Sequence, residues 1–161
     1  MFLVGDKIVY PMHGAGVIEA IEERDILGKV RKYYVLKMPI GDMRVLVPVP
    51  LVDDTEAGIR SVVGAEEVQR VFEVLTDEVS VELDNWNRRY RQNLEKLKTG
   101  DIYELAEVVR NLTRRDQRKG LSTGEKKMLD NARQLLISEL VLAEGTCEET
   151  VLGQIKTCLA A

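Results

Sequence analysis

A chain of 161 residues with 45% hydrophobic and 31% charged side chains has apolar material for one ordinary core or two small ones, and too much for extensive disorder. No run approaches the roughly 20 apolar residues that cross a bilayer, and the start, MFLVGDKIVY, lacks the apolar core of a secretory signal, so a cytoplasmic protein without a membrane partner is expected. The net charge of -4 argues against a nucleic-acid binder only until it is divided: residues 61–85 hold one basic and seven acidic side chains, residues 86–133 hold 13 basic and 7 acidic.

The first 50 residues read as short strands, Lys7 to Tyr10, Ala15 to Glu22, Val30 to Met38 and Met43 to Val47, rich in β-branched residues and tyrosine. Breakers separate them: Pro11 with His13-Gly14, then Asp25 to Gly28, then Pro39 to Asp42. So many strands in so short a span bury their apolar faces by curling into a small antiparallel barrel, SH3-like or Tudor-like. His13, the sole histidine, falls in a turn, where a structural hydrogen-bonding role is expected rather than catalysis.

From about Ser61 the apolar period changes from two to 3.6, and helices are predicted near 66–75, 85–98, 102–119, 123–144 and 147–159. Ile102, Leu105, Val109 and Leu112 form one apolar stripe, which leaves Arg110, Arg114 and Arg115 for more exposed faces. Asp101 with Glu104, Ser122 with Glu125 and Thr146 with Glu149 have capping-box spacing, and Gly100, Gly120 and Gly145 stand where the preceding helices need a left-handed residue to stop. The fold class is thus α+β in two domains. Residues 1–60 make the small antiparallel barrel and residues 61–161 an all-helical domain of about five helices.

The two cysteines, Cys147 and Cys158, are eleven residues apart in one predicted helix, roughly 16 Å and too far for a disulfide. Neither cysteine nor histidine spacing suits a metal. A glycine-rich phosphate loop, a GxSxG turn and an acid–base pair are all missing. A non-enzymatic protein with no cofactor and no small-molecule substrate is expected.

Asp84 to Arg91 place the only tryptophan, Trp86, among Arg88, Arg89 and Arg91 at a helix start. Two readings fit: Trp86 packs against a neighbouring helix under a solvated arginine face, or the cluster meets nucleic acid, with arginines on phosphates and the ring wedged at a base step. Pattern alone favours the first. The run Arg114 to Lys119 and the pair Lys126-Lys127 would extend the same basic surface.

Larger motifs join these residues. Val4-Gly5-Asp6, Val9-Tyr10-Pro11-x-His13-Gly14 and Tyr34-Val35-Leu36-Lys37 lie in the first half. Asn85-Trp86-x-Arg88-Arg89-Tyr90, Asn93 to Leu97, Arg114 to Gln117 and Gly120-Leu121-Ser122-x-Gly124-Glu125-Lys126 lie in the second. With them the chain resembles, over nearly its whole length, the CarD family of bacterial RNA polymerase-binding regulators. The barrel motifs are shared with the transcription-repair coupling factor; the helical ones are not.

The resemblance implies a Tudor-like domain on the lobe of the polymerase β subunit, docked by strand addition at a sheet edge, with Arg24, Arg44, Leu46, Val47 and Pro48 at the contact. Leu46 stands where some members carry arginine, which makes that contact apolar. It also implies a helical domain at the upstream edge of the transcription bubble, with Trp86 as a minor-groove wedge and Arg88, Arg89, Arg91 and Lys126 near the DNA backbone, so the wedge reading of Trp86 displaces the packing one. No helix for base-edge readout is evident, so promoter DNA would be met without sequence specificity. The expectation is a transcription regulator that stabilises the open promoter complex, cytoplasmic and held at the nucleoid through polymerase. The alternative is an adaptor on polymerase that never touches DNA.

Overall fold

A computed structural model of the chain describes residues 2–50, 58–78 and 85–160; Asp84, the first residue of the aromatic–basic cluster, lies outside them. Strands β1 (Lys7–Tyr10), β2 (Gly14–Ile26), β3 (Lys29–Lys37), β4 (Arg44–Pro48) and β5 (Arg60–Ser61) form one antiparallel sheet in the order β4-β3-β2-β1-β5. Helices α1 (Ala65–Thr76), α2 (Trp86–Lys98), α3 (Ile102–Arg118), α4 (Thr123–Glu144) and α5 (Glu148–Ala160) follow. None of the described helices is long and apolar enough to cross a membrane.

Each half has its own core. Ile8, Ile18, Tyr34, Leu36, Val47 and Ile59 close the sheet's inner face. Val71, Leu75, Ala106, Val109, Leu112, Ala132, Leu136, Leu140, Val151 and Ile155 fill the helical half, each large aliphatic side chain worth roughly 1.5–3 kcal/mol of burial. The stripe read along α3 is the buried one: Ile102, Val109 and Leu112 are buried and Leu105 is half-buried.

The sheet departs from expectation in two ways. β5 pairs with β1 through Ile8–Ser61 and Val9–Arg60, a two-residue strand too short to carry any alternation and one residue past the expected domain boundary. Strands β2 and β3 also run on to a two-residue turn at Leu27-Gly28. Beyond Lys32, among the described residues, they pair only with each other, as a projecting arm with Glu23 opposite Lys32 and Arg24 opposite Arg31. The apolar pattern stops there because the arm has left the core. At its tip Leu27 has φ 54° and Gly28 φ 82°, the positive pair that matches a two-residue turn to the strand twist, and Leu27 is 99% exposed.

Among the helix starts, Asp101 accepts from the Tyr103 N–H at 2.8 Å and Ser122 from the Glu125 N–H at 3.2 Å. The third box is displaced by one residue. Helix α5 begins at Glu148, its first hydrogen bond running from the Val151 N–H to the Cys147 carbonyl, so Cys147 rather than Thr146 caps it. The Cys147 Sγ lies 3.2 Å from the Thr150 hydroxyl, a contact that pulls the thiol below its ordinary pKa. His13 sits in the turn after β1: its N–H bonds the Tyr10 carbonyl at 2.9 Å, and its ring stacks on Tyr10 at 4.5 Å.

Arg110 and Arg114 correct the reading of α3. Arg110 is buried and donates to the Val74 carbonyl at 2.9 Å, while Arg114 donates to the carbonyls of Leu75, Thr76 and Asp77. Helix α1 has no basic residue in its last turn, so its free carbonyls and negative dipole end draw these guanidinium groups inward. That part of the basic run is absorbed by structure.

Candidate functional site

Helix α2 starts where Asn85 accepts from the Arg88 N–H at 3.2 Å. This cap sets the phase of the first turn. Trp86 and Tyr90, four residues apart, fall on one face and stack at 5.1 Å with 19° between planes. Trp86 stays 42% exposed. Its indole Nε1–H donates to the Ser122 hydroxyl at 2.9 Å, which ties the ring to the first turn of α4. A Cβ on Gly124 would lie 3.6 Å from the ring, so the glycine leaves the indole flanked rather than covered.

Beneath this corner lies a buried ion pair. Arg89 Nε donates to Glu125 at 2.9 Å and its Nη2 to the other carboxylate oxygen at 3.2 Å, with only 7% of Arg89 and 2% of Glu125 exposed. Burial alone would raise the Glu125 pKa, but the Arg89 hydrogen bonds and charge, with Arg115 and Ser122, hold it below the usual carboxylate range. The Ser122 hydroxyl also donates to Glu125 at 3.3 Å. Trp86, Ser122, Glu125 and Arg89 thus form one connected network that locks α2 to α4.

The structure brings four of the five expected DNA-facing residues to solvent and withdraws the fifth. Trp86, Arg88, Arg91 and Lys126 are exposed, and Arg88, Arg91, Lys126 and Lys127 form no ion pair among the described residues. Arg89 is turned inward because the buried Glu125 requires a charged partner, so it positions the corner instead of meeting phosphate.

The five residues expected at the polymerase contact divide differently. β4 pairs only with β3 among the described residues and is an edge of the sheet. Arg44 and Leu46 point outward, Pro48 is half-buried, and Val47 is fully buried, opposite Tyr34. Alternation along a strand makes that unavoidable, and the register turns the Val47 main chain toward Tyr34 of β3, so neither its side chain nor its backbone faces the edge. Arg44 is held by Glu19 at 2.7 and 3.1 Å, bonds that also lower the Glu19 carboxyl pKa. Arg24 lies apart on the projecting arm, bonded to Glu22 at 2.7 Å.

A polar seam between the two halves was not among the expected features. Arg60 of β5 donates to both oxygens of Glu139 of α4 at 2.7 Å, and the Ala15 N–H of β2 donates to the Ser138 hydroxyl at 3.0 Å. A signal was present: Ser138-Glu139 interrupts the apolar run Leu135 to Leu142, and polar groups on a buried helix face require partners.

Each half of the chain is similar to known proteins. A family model described as "CarD-like/TRCF RID domain" matches residues 2–63, and one described as "CarD, C-terminal domain" matches residues 70–156. A protein of Bacillus subtilis (strain 168), named "Putative transcription factor YdeB", is 44% identical over 151 residues, which is 94% of this chain and 97% of its own length.

Proposed function

Since the chain belongs to the CarD family of transcription regulators, we propose that it docks on the β-subunit lobe of RNA polymerase and steadies the open promoter complex at the upstream edge of the bubble. Residues 1–60 dock through the exposed edge of β4, by main-chain pairing with Arg44, Leu46 and the half-buried Pro48 beside it. Residues 61–161 meet the DNA. The observation that carries the reading is Trp86: a large aromatic ring, 42% exposed, pinned in place and flanked by the exposed cations Arg88, Arg91 and Lys126.

A pinned ring suits a wedge. Parting base pairs costs a few kcal/mol per step in intact duplex, so a ring entering where the strands are already open avoids that cost and binds the open state better than the closed one. Such a difference shifts the population, and about 1.4 kcal/mol amounts to tenfold. The indole N–H is engaged by Ser122, so it reads no base, in keeping with contact that is independent of sequence. Weak affinity suffices, because a tethered protein meets nearby DNA at an effective concentration on the order of mM. The acidic remainder of the chain limits scattering over other DNA.

The test is open-complex lifetime with the Trp86→Ala variant. The variant is expected to bind polymerase as the parent does and to lose the lengthened lifetime. An unchanged lifetime removes the wedge.

A further inference from the structure

The seam between the halves holds charged and polar groups where apolar ones would suffice. Glu139 is 1% exposed. Its carboxylate receives two bonds from Arg60 and a third from the Val63 N–H at 3.1 Å. The Arg60 Nε turns the other way, to the Gly100 carbonyl at 2.8 Å, at the joint between α2 and α3. Through this one guanidinium, β5, α4 and the end of the helix that carries Trp86 are joined.

A second line runs parallel. Gly14 has φ 109°, and a Cβ there would stand 3.1 Å from the Ser138 hydroxyl. The sheet backbone therefore approaches α4 closely enough for the Ala15 N–H to bond that hydroxyl, which itself donates to the Leu135 carbonyl at 2.8 Å. Pro11 of the β1–β2 turn abuts Gly100, 3.0 Å from where its Cβ would be. Apolar contacts alone tolerate sliding, whereas a fork of fixed bonds admits one geometry.

We infer that Arg60 and Glu139, with Ser138 beside them, are positioning residues that hold the β4 edge and the Trp86 corner at one fixed separation and orientation. An ion pair between a buried carboxylate and a half-buried guanidinium is weak evidence for stability, since apolar residues of similar size do as well or better, and its best-attested use is to specify geometry. The inference rests on the proposed function for its purpose: docking at β4 delivers Trp86 to the bubble edge only if the span between them is set.

The test uses the full chain with Cys147→Ser and Cys158→Ala, spin-labelled through cysteines replacing the exposed Lys32 on β3 and Lys98 on α2, free in solution. A single narrow distance distribution is expected, broadened or shifted by Glu139→Gln while Trp86 fluorescence and helix content stay unchanged. An unaltered distribution overturns the clamp. In promoter complexes, Glu139→Gln is expected to shorten the open-complex lifetime about fivefold with polymerase affinity unchanged; an equal loss of polymerase affinity overturns the positioning role. If the parent protein does not lengthen the lifetime, the functional reading fails, and the distance measurement still decides the clamp. Should Glu139→Gln fail to fold, Arg60→Lys, which keeps the charge but loses the fork, is read by the same two measurements with the same outcomes.

Discussion

The edge of β4 and the corner of α2 with α4 offer a partner opposite things. At the edge, one of the expected contact residues, Val47, is buried, and Arg44 is already held by Glu19; what stays open is main chain and the Leu46 side chain. At the corner the main chain is spent in helices, and Trp86, Arg88, Arg91 and Lys126 present side chains held from below by the Arg89–Glu125 pair. Substitution should therefore matter little along the edge, sharply at the corner, and most of all one layer beneath it.

The largest effect is expected at Arg89. Arg89→Ala leaves Glu125 charged and buried without its main partner, and should cost about 3–5 kcal/mol in urea unfolding, whereas Arg88→Ala and Arg91→Ala should stay within about 0.5 kcal/mol. Equal costs would erase the distinction between the buried layer and the surface above it. Acid should act on the same layer. Because the folded Glu125 pKa is lowered, its contribution is present above the ordinary carboxylate pKa and is lost as pH falls through the folded value, so unfolding at neutral pH should be flat and Arg89→Ala should remove part of the acid-side slope.

At the edge, Leu46→Ala should change polymerase affinity by less than tenfold, about 1.4 kcal/mol, while β4 amides gain hydrogen-exchange protection in the complex. A hundredfold loss would make the contact one of side chains. Ser122→Ala removes both a helix cap and the anchor of the indole, costing about 1 kcal/mol and releasing Trp86, which shortens the open-complex lifetime beyond what stability explains. Smallest is Leu27→Asn. Leu27 is 99% exposed and the change eases a left-handed backbone position, so the sheet half should gain about 0.5–1 kcal/mol.

Patterned elements were legible in the sequence because a helix or strand announces itself by period. The five helices begin and end within a residue or so of where periodicity and glycines put them, and the strands that bury a face were found. What escaped has no local signature. β5 is two residues long, and the arm of β2 and β3 carries mostly exposed side chains. Arg89 looked like its neighbours Arg88 and Arg91, since nothing within α2 says that Glu125, 36 residues on, will claim it. Arg110 and Arg114 were misplaced for the same reason: their partners are backbone carbonyls of another helix.

Trp86 is the only tryptophan in the chain, and it stands at the corner where α2, α4 and the proposed DNA surface meet. The molecule therefore carries its own optical reporter. Emission excited to the red of tyrosine absorption comes from this one ring, stacked on Tyr90 and bonded to Ser122, so loosening of the corner, acid opening of Glu125 and insertion between bases each register as a change in a single lamp, with no label attached.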